Sequence, residues 1–174
     1  MLSLRHRRPP APTSARRLAL ELLLRWEASR RPGAKPCFLN DLLEETAATR
    51  QLDRREQALL WELVQGVVRW QARLDYYLRM VSRRPGAKIP ITLQVLLRLL
   101  AYQLLFLDRI PVSAAVNETV KLAKDLRLPG PLVGYLNAVG RRLAQEGRQL
   151  PLPQGGAAEA LAVQESLLDW LAAR

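Results

Sequence analysis

The side chains in this sequence best suited to binding chemistry are arginines close to its start. Arg5, Arg7 and Arg8 come first, and Arg16 and Arg17 follow within nine residues. A guanidinium group presents a planar fork of N–H donors that matches a phosphate group, and clustered cations bind polyanions by releasing counterions. We therefore expect these five arginines to contact the phosphates of a nucleic acid.

The charge of the whole chain is uneven along its length. Lys and Arg total 27 against 16 Asp and Glu, which gives a net charge of +11, and residues 1–35 alone carry +7. A second group of arginines would enlarge the basic surface if folding brought them near the first: Arg69, Arg73, Arg141 and Arg142. The alternative explanation is a solvated basic tail that only aids solubility.

Side chains for covalent catalysis or metal binding are scarce. Cys37 is the only cysteine and His6 the only histidine. One thiol and one imidazole cannot build a tetrahedral zinc site, and Cys37 lies in an apolar stretch where packing explains it better than nucleophilic catalysis. We predict no catalytic residue, no metal and no cofactor. The aromatic residues lie in helical patterns, where filling a core is their more common role, so they are weak evidence for base stacking.

Helices are the elements that must position these side chains. Ser14 is suited to cap a first helix that ends before Pro32, a second helix is predicted over residues 39–49, and Asp53 opens a third. No segment shows the two-residue alternation of a strand. The sequence therefore predicts an all-α protein of seven or eight helices with no sheet.

The longest apolar run, residues 91–107, is 17 residues long and contains Arg98. It is too short and too polar for a bilayer span, so we predict a central core helix. Gly66 is predicted to mark close helix packing or a bend. No charged-then-apolar leader opens the sequence, and we expect a cytoplasmic protein that does not contact a membrane.

A six-residue string, Arg-Arg-Pro-Gly-Ala-Lys, occurs at residues 30–35 and again at residues 83–88. A helix that stops with basic residues in its last turn explains each copy well, and contact with phosphates is the alternative. Punctuation by proline and glycine divides the chain into a basic Pro-rich arm, a domain, a linker and a C-terminal helix, at residues 1–13, 14–147, 148–156 and 157–174.

Specific strings resemble a known family. One is Leu-Asp-Arg-Arg-Glu at residues 52–56, followed by Leu-Val-Gln-Gly-Val-Val-Arg at residues 63–69. A longer one runs from Leu99 through Leu-Asp-Arg-Ile-Pro-Val-Ser-Ala-Ala-Val-Asn-Glu to Glu118, and Leu-Asn-Ala-Val follows at residues 136–139. Over residues 14–145 the chain resembles the NusB-like domain, and the N-terminal domain of RsmB-type ribosomal RNA 5-methylcytosine methyltransferases in particular.

The resemblance implies two packed helical bundles and an arginine-rich N-terminal segment that contacts RNA. The residues of the 108–118 string themselves favour a helix-turn-helix corner over contact with RNA, because Pro111 can end one helix and Ser113 can cap the next. Gly140 replaces a leucine that is usual in the methyltransferases, which is expected to loosen its helix by up to about 1 kcal/mol and to leave packing lost.

Residues 161–171 resemble the segment that leads such methyltransferases into their catalytic domain, and the sequence given ends at Arg174. We therefore expect an RNA-binding module that is not an enzyme by itself. It would bind ribosomal or leader RNA and take part in rRNA cytosine methylation or transcription antitermination. Two alternatives stay open. One is a recognition subunit or truncated form of an rRNA 5-methylcytosine methyltransferase whose S-adenosylmethionine domain is elsewhere. The other is a protein-interaction adaptor in transcription or ribosome assembly, with a ribosomal protein as a possible partner.

Overall fold

Seven α-helices account for most of residues 14–50, 52–82 and 88–151, the parts of the chain that the computed structural model describes. No strand occurs in these ranges, so the prediction of an all-α fold is confirmed. The predicted arm of residues 1–13 and the predicted helix of residues 157–174 lie outside them. The helices are α1 (Ala15–Ser29), α2 (Leu39–Thr49), α3 (Arg54–Arg69), α4 (Gln71–Val81), α5 (Ile91–Phe106), α6 (Val112–Asp125) and α7 (Gly130–Glu146), and a 3₁₀ turn (Gly147–Gln149) follows.

Two predicted helix starts are present with their caps. The Ser14 hydroxyl accepts a hydrogen bond from the Arg17 N–H at 3.3 Å, and an Asp53 carboxylate oxygen accepts one from the Glu56 N–H at 2.8 Å. Each cap satisfies a first-turn N–H that has no partner inside the helix. The starts of α1 and α3 are therefore fixed by residues of their own sequence.

The apolar helix α5 lies at the centre of the fold, as its sequence predicts. It is buried from Leu93 to Leu104 except at Gln94, which is half-buried, and it contacts α1, α3, α4, α6 and α7. Helices α1 and α3 pack on each other and on α5, and α6 and α7 do the same. The two predicted bundles thus share α5. No helix of the described ranges is long and apolar enough to cross a membrane.

Two glycines allow helices to approach α5 closely. A Cβ atom on Gly66 of α3 would collide with the ring of Tyr102, which confirms the prediction of close packing at Gly66. A Cβ on Gly140 of α7 would lie 2.7 Å from Leu100 Cδ2. The expectation that Gly140 leaves packing lost is therefore wrong, because α5 already fills the space that a side chain would need.

The corner between α5 and α6 differs in detail from the expectation. Helix α6 begins at Val112 with Pro111 as its N-cap, and no side chain caps it. The prediction that Ser113 is the cap is wrong, because Ser113 is already the second residue of the helix. Pro111 explains the difference: it has no N–H to satisfy and its fixed φ suits the start of a helix.

A buried arginine ties three helices together inside the fold. Arg98 of α5 is 4% exposed and forms a fork with Asp75 of α4, Nε to Oδ1 and Nη2 to Oδ2, both at 2.7 Å. Its Nη1 donates to Glu27 of α1 at 2.6 Å. Burial alone would lower the pKa of Arg98, but the hydrogen bonds and negative charges of Asp75 and Glu27 outweigh it and raise the pKa. Arg98 is therefore a structural cation.

Candidate nucleic-acid interface

The N-terminal ends of α1 and α3 lie side by side. The backbone N–H of Ala15, the first residue of α1, donates to Oε2 of Glu56 in the first turn of α3 at 2.6 Å. The N-terminus of a helix carries a partial positive charge and free N–H groups, so two adjacent N-termini favour an anion. We call this end of the α1–α3 pair the basic end; it carries Arg16, Arg17, Arg54 and Arg55.

Two of the arginines predicted to bind nucleic acid lie at the basic end. Arg16 is half-buried, and its Nε donates to Oε1 of Gln103 on α5 at 2.7 Å. Arg17 is exposed and pairs with Glu21 one turn away at 3.2 Å. An exposed pair of this kind contributes little to stability, roughly 0.5 kcal/mol, so the Arg17 guanidinium is available to another anion.

The basic end also holds two arginines that the sequence did not predict as binding residues. Arg54 and Arg55 open α3, are exposed, and form no ion pair with any carboxylate in the described ranges. Their place beside α1 depends on the contact between Ala15 and Glu56, which lie 41 residues apart. The only sequence signal was Asp53, which predicted the start of α3 but not its neighbour.

Of Arg69 and Arg73, both predicted to enlarge the basic surface, Arg69 is the last residue of α3 and Arg73 lies against the second half of α5. The guanidinium carbon of Arg73 is 5.5 Å from the ring centres of Trp70 and Phe106, and its N–H groups donate to the Tyr77 hydroxyl at 3.1 and 3.3 Å. The Phe106 ring stacks between Trp70 and Tyr102, at 5.3 Å from each. Arg73 is thus engaged by aromatic rings.

Tyr102 belongs to this aromatic cluster and also packs against Gly66. Burial raises the pKa of Tyr102 well above its ordinary value, and its hydrogen bond to Glu62 and the charge of Glu62 add to the rise, while Arg69 opposes it. Arg16 and Arg73 both contact the stretch of α5 from Gln103 to Phe106.

Arg141 and Arg142 take other places. Both are on α7, where Arg141 is exposed, while Arg142 donates to the carbonyl of Val81 at 2.9 Å and pairs with Glu146 at 3.4 Å. The contacts of Arg142 are with the end of α4 and with its own helix, and not with the basic end. The structure therefore brings Arg16 and Arg17 together with Arg54 and Arg55, and Arg5, Arg7 and Arg8 lie outside the described residues.

The described ranges of the chain contain no group of three or more His, Cys, Asp or Glu side chains placed to hold a metal ion. Cys37, the residue considered and set aside as a nucleophile, is half-buried beside the exposed Phe38. The guanidinium groups and helix N-termini of the basic end can bind an anion reversibly.

Comparison with known proteins decides the family. The sequence profile described as "NusB family" matches residues 13–145, which is most of the chain. The chain belongs to the NusB family. Proteins of this family bind RNA, so the predictions of a NusB-like fold and of an RNA-binding module are confirmed.

Individual relatives of this NusB-family chain fall into two groups. The probable ribosomal RNA small subunit methyltransferase B of Bacillus subtilis is 33% identical over 91% of this chain, and the match covers 34% of that protein. The ribosomal RNA small subunit methyltransferase B of Pseudomonas putida is 40% identical over 58% of this chain, covering 22% of that protein. The transcription antitermination protein NusB of Shewanella amazonensis is 30% identical over 68% of this chain and is covered over 84% of its length. The chain thus spans about a third or less of the methyltransferase relatives it matches.

Proposed function

We propose that this chain recognises RNA for the methylation of small-subunit ribosomal RNA and holds the RNA by phosphates at the basic end. The observation that carries the proposal is the meeting of two helix N-termini with exposed arginines, Arg17, Arg54 and Arg55. Arg5, Arg7 and Arg8 of the predicted arm precede α1 in the sequence, and we propose that they contact the same RNA. The methyltransferase relatives, which match over as much as 91% of this chain, supply the proposed target.

Charge at the basic end supports phosphate binding over a purely structural role. The acidic groups there already have partners: Asp53 caps α3, Glu56 accepts from Ala15, and Glu21 pairs with Arg17. The guanidinium groups of Arg54 and Arg55 have no such partners in the described ranges. A phosphate would therefore meet donors that are not committed, without having to break a buried contact.

Catalysis is assigned to a partner in this proposal. Methyl transfer to cytosine needs a nucleophile and a site for a methyl donor, and we assign both to a methyltransferase catalytic domain. The chain would position RNA for a methyltransferase catalytic domain, joined to it or separate. The predicted helix of residues 157–174 would connect or dock to that domain.

A second candidate function is transcription antitermination, with leader RNA as the target. It is favoured by the relatives named transcription antitermination protein NusB, of which this chain covers 84% in one case and 74% in another. Both candidates use the same basic end. They differ in the RNA, so affinity for a small-subunit rRNA fragment, measured against affinity for a leader RNA of equal length, separates them.

The test of the basic end is a triple variant, Arg17→Gln, Arg54→Gln and Arg55→Gln, studied by fluorescence anisotropy with a labelled rRNA fragment. We expect affinity to fall at least tenfold, since three phosphate contacts are lost. The matched control removes three exposed cations around the end of α6, Lys121→Gln, Lys124→Gln and Arg127→Gln, and should change affinity by less than about threefold. Equal losses in the two variants would reject the basic end as the RNA site.

A further inference from the structure

A cavity at the C-terminal end of α1 has features of a second anion site. It encloses about 410 Å³ and opens to solvent. It lies roughly 20 Å from Arg16 along α1, at 1.5 Å of rise per residue, so it is separate from the basic end. The residues that line it are Glu27, Arg30, Arg31, Pro32, Gln71 and Ile91.

The two arginines of the cavity are the first two residues of the string Arg-Arg-Pro-Gly-Ala-Lys. The Arg30 guanidinium carbon lies 4.5 Å from the centre of the Trp26 ring, a cation–π contact that restricts its orientation. Arg31 is exposed. Neither forms an ion pair with a carboxylate of the described ranges. The cavity therefore holds two guanidinium groups without an ion pair in the described ranges, and contact with Trp26 restricts the orientation of Arg30.

The amide of Gln71 adds a third donor to the cavity. Arg98 uses three of its N–H groups on Asp75 and Glu27, and its remaining ones need an acceptor because the group is buried. Only the orientation with the Gln71 oxygen toward Arg98 provides it, at 3.1 Å from Nη2 and 3.3 Å from Nη1. The Gln71 NH₂ then faces Arg30.

The atom of Gln71 that faces Arg30 lies 3.4 Å from Nη1. With the amide turned to satisfy Arg98, both of these atoms are donors that face the open cavity, where water or an anion can accept from them. Satisfying the buried Arg98 thus places two donors side by side on the cavity side. An anion with several acceptor oxygens can accept from both.

Negative charge near the cavity is already neutralised in part. Glu27 is held by Arg98. The last turn of α1 would ordinarily repel an anion, but the Ser29 hydroxyl donates to the Trp26 carbonyl at 2.7 Å and the Arg31 N–H donates to the Ala28 carbonyl at 3.3 Å. Ile91 also brings the uncapped N-terminal end of α5 to the cavity.

We propose that the cavity at Arg30, Arg31 and Gln71 binds a phosphate group of an RNA strand. Phosphate is the ligand chemistry because its oxygens only accept, and guanidinium and amide groups only donate on this side. The choice of RNA as the source of the phosphate rests on the proposed function. Binding of the phosphate group itself does not.

The first test uses the full chain with its arginine side-chain nitrogens labelled, and follows their Nε–Hε signals by NMR during addition of uridine 5′-monophosphate. We expect saturable shifts at Arg30 and Arg31, and none with uridine, which lacks the phosphate. Absence of saturable shifts would overturn the site. Equal shifts at Arg127, an exposed arginine at the end of α6, would also overturn the site.

The second test compares RNA binding of the double variant Arg30→Gln and Arg31→Gln with that of a control, Lys121→Gln and Arg127→Gln. We expect affinity for the rRNA fragment to fall several-fold and the slope of log K against log salt to become shallower by about 1, with the control unchanged. Unchanged RNA binding together with nucleotide shifts would overturn RNA as the source. A loss here combined with full affinity in the Arg17, Arg54 and Arg55 variant would reject the basic end and support the cavity.

Discussion

Arg98 and the arginines of the basic end carry the same group in opposite surroundings. Arg98 is 4% exposed and held by two carboxylates at 2.6 and 2.7 Å. Arg54 and Arg55 are exposed and have no ion pair with the described residues. Removing a partner from a buried pair costs far more than removing an exposed charge. The difference separates an arginine that holds helices together from arginines free to hold a ligand.

The largest expected effect is on stability, at the buried side of this comparison. Arg98→Met leaves Asp75 and Glu27 without a counter-ion inside the fold, and we expect the free energy of unfolding to fall by about 3–5 kcal/mol. Urea unfolding followed by circular dichroism measures it. The triple variant of Arg17, Arg54 and Arg55 should stay within about 0.5 kcal/mol of the unmodified chain. Similar losses of stability in the two variants would contradict the distinction between a structural Arg98 and ligand-binding arginines at the basic end.

A packing variant sharpens the comparison by changing stability without touching charge. Gly66→Ala puts a methyl group against the Tyr102 ring, and we expect a loss of about 1–3 kcal/mol from overpacking between α3 and α5. The additional variant Tyr102→Leu should recover part of that loss, as a double-mutant cycle would show. RNA affinity of the folded Gly66→Ala protein should remain. Loss of RNA affinity would mean that binding depends on the exact position of α3 as well as on charge.

Alkaline pH offers a smaller effect on the same α3–α5 contact. The pKa of Tyr102 is raised in the folded protein from an ordinary value of 10.0, so its neutral form is favoured by folding. Stability from this group is present below pH 10 and decreases as pH rises above it, because the unfolded chain loses the proton first. Urea unfolding at pH 9 and pH 11 should show a steeper loss for the unmodified protein than for Tyr102→Phe. Parallel losses would contradict the assignment.

The smallest effect is expected at the end of α6, a helix that carries neither Arg98 nor the arginines of the basic end. Arg127 has φ of +56°, and the N–H groups of Arg127 and Leu128 donate to the carbonyls of Lys124 and Ala123, as in a Schellman motif. Arg127→Gly should raise the free energy of unfolding by less than about 1 kcal/mol, because glycine adopts this conformation without strain. RNA affinity should stay within about twofold. Thermal unfolding and anisotropy measure the two quantities, and a drop in stability would contradict the backbone argument.

The parts of the fold that the sequence predicts well depend on local chemistry. Ser14 and Asp53 mark helix starts because a short polar side chain can satisfy the first N–H groups of the helix that follows it. The crowded leucines of α5 predict a central position, since no single face could carry them. Where proline offered a different solution at the start of α6, the expectation for Ser113 failed.

The parts that could not be predicted depend on residues far apart in the chain. Arg98 pairs with Glu27 across 71 residues and with Asp75 across 23, and neither separation has a periodic signature. Arg54 and Arg55 join the basic end only because α3 packs beside α1. Arg73 was grouped with the phosphate-binding candidates, yet its position over Trp70 and Phe106 depends on how α4 meets α5.

Salt dependence tests the central claim most directly. RNA affinity of the full chain and of the Arg17, Arg54 and Arg55 triple variant is measured at several potassium chloride concentrations. If these side chains contact phosphates, the slope of log K against log salt is shallower by about 2 in the variant, at roughly 0.7 per contact on a single strand. Two parallel lines would contradict the claim, because the three arginines would then release no counterions when RNA binds.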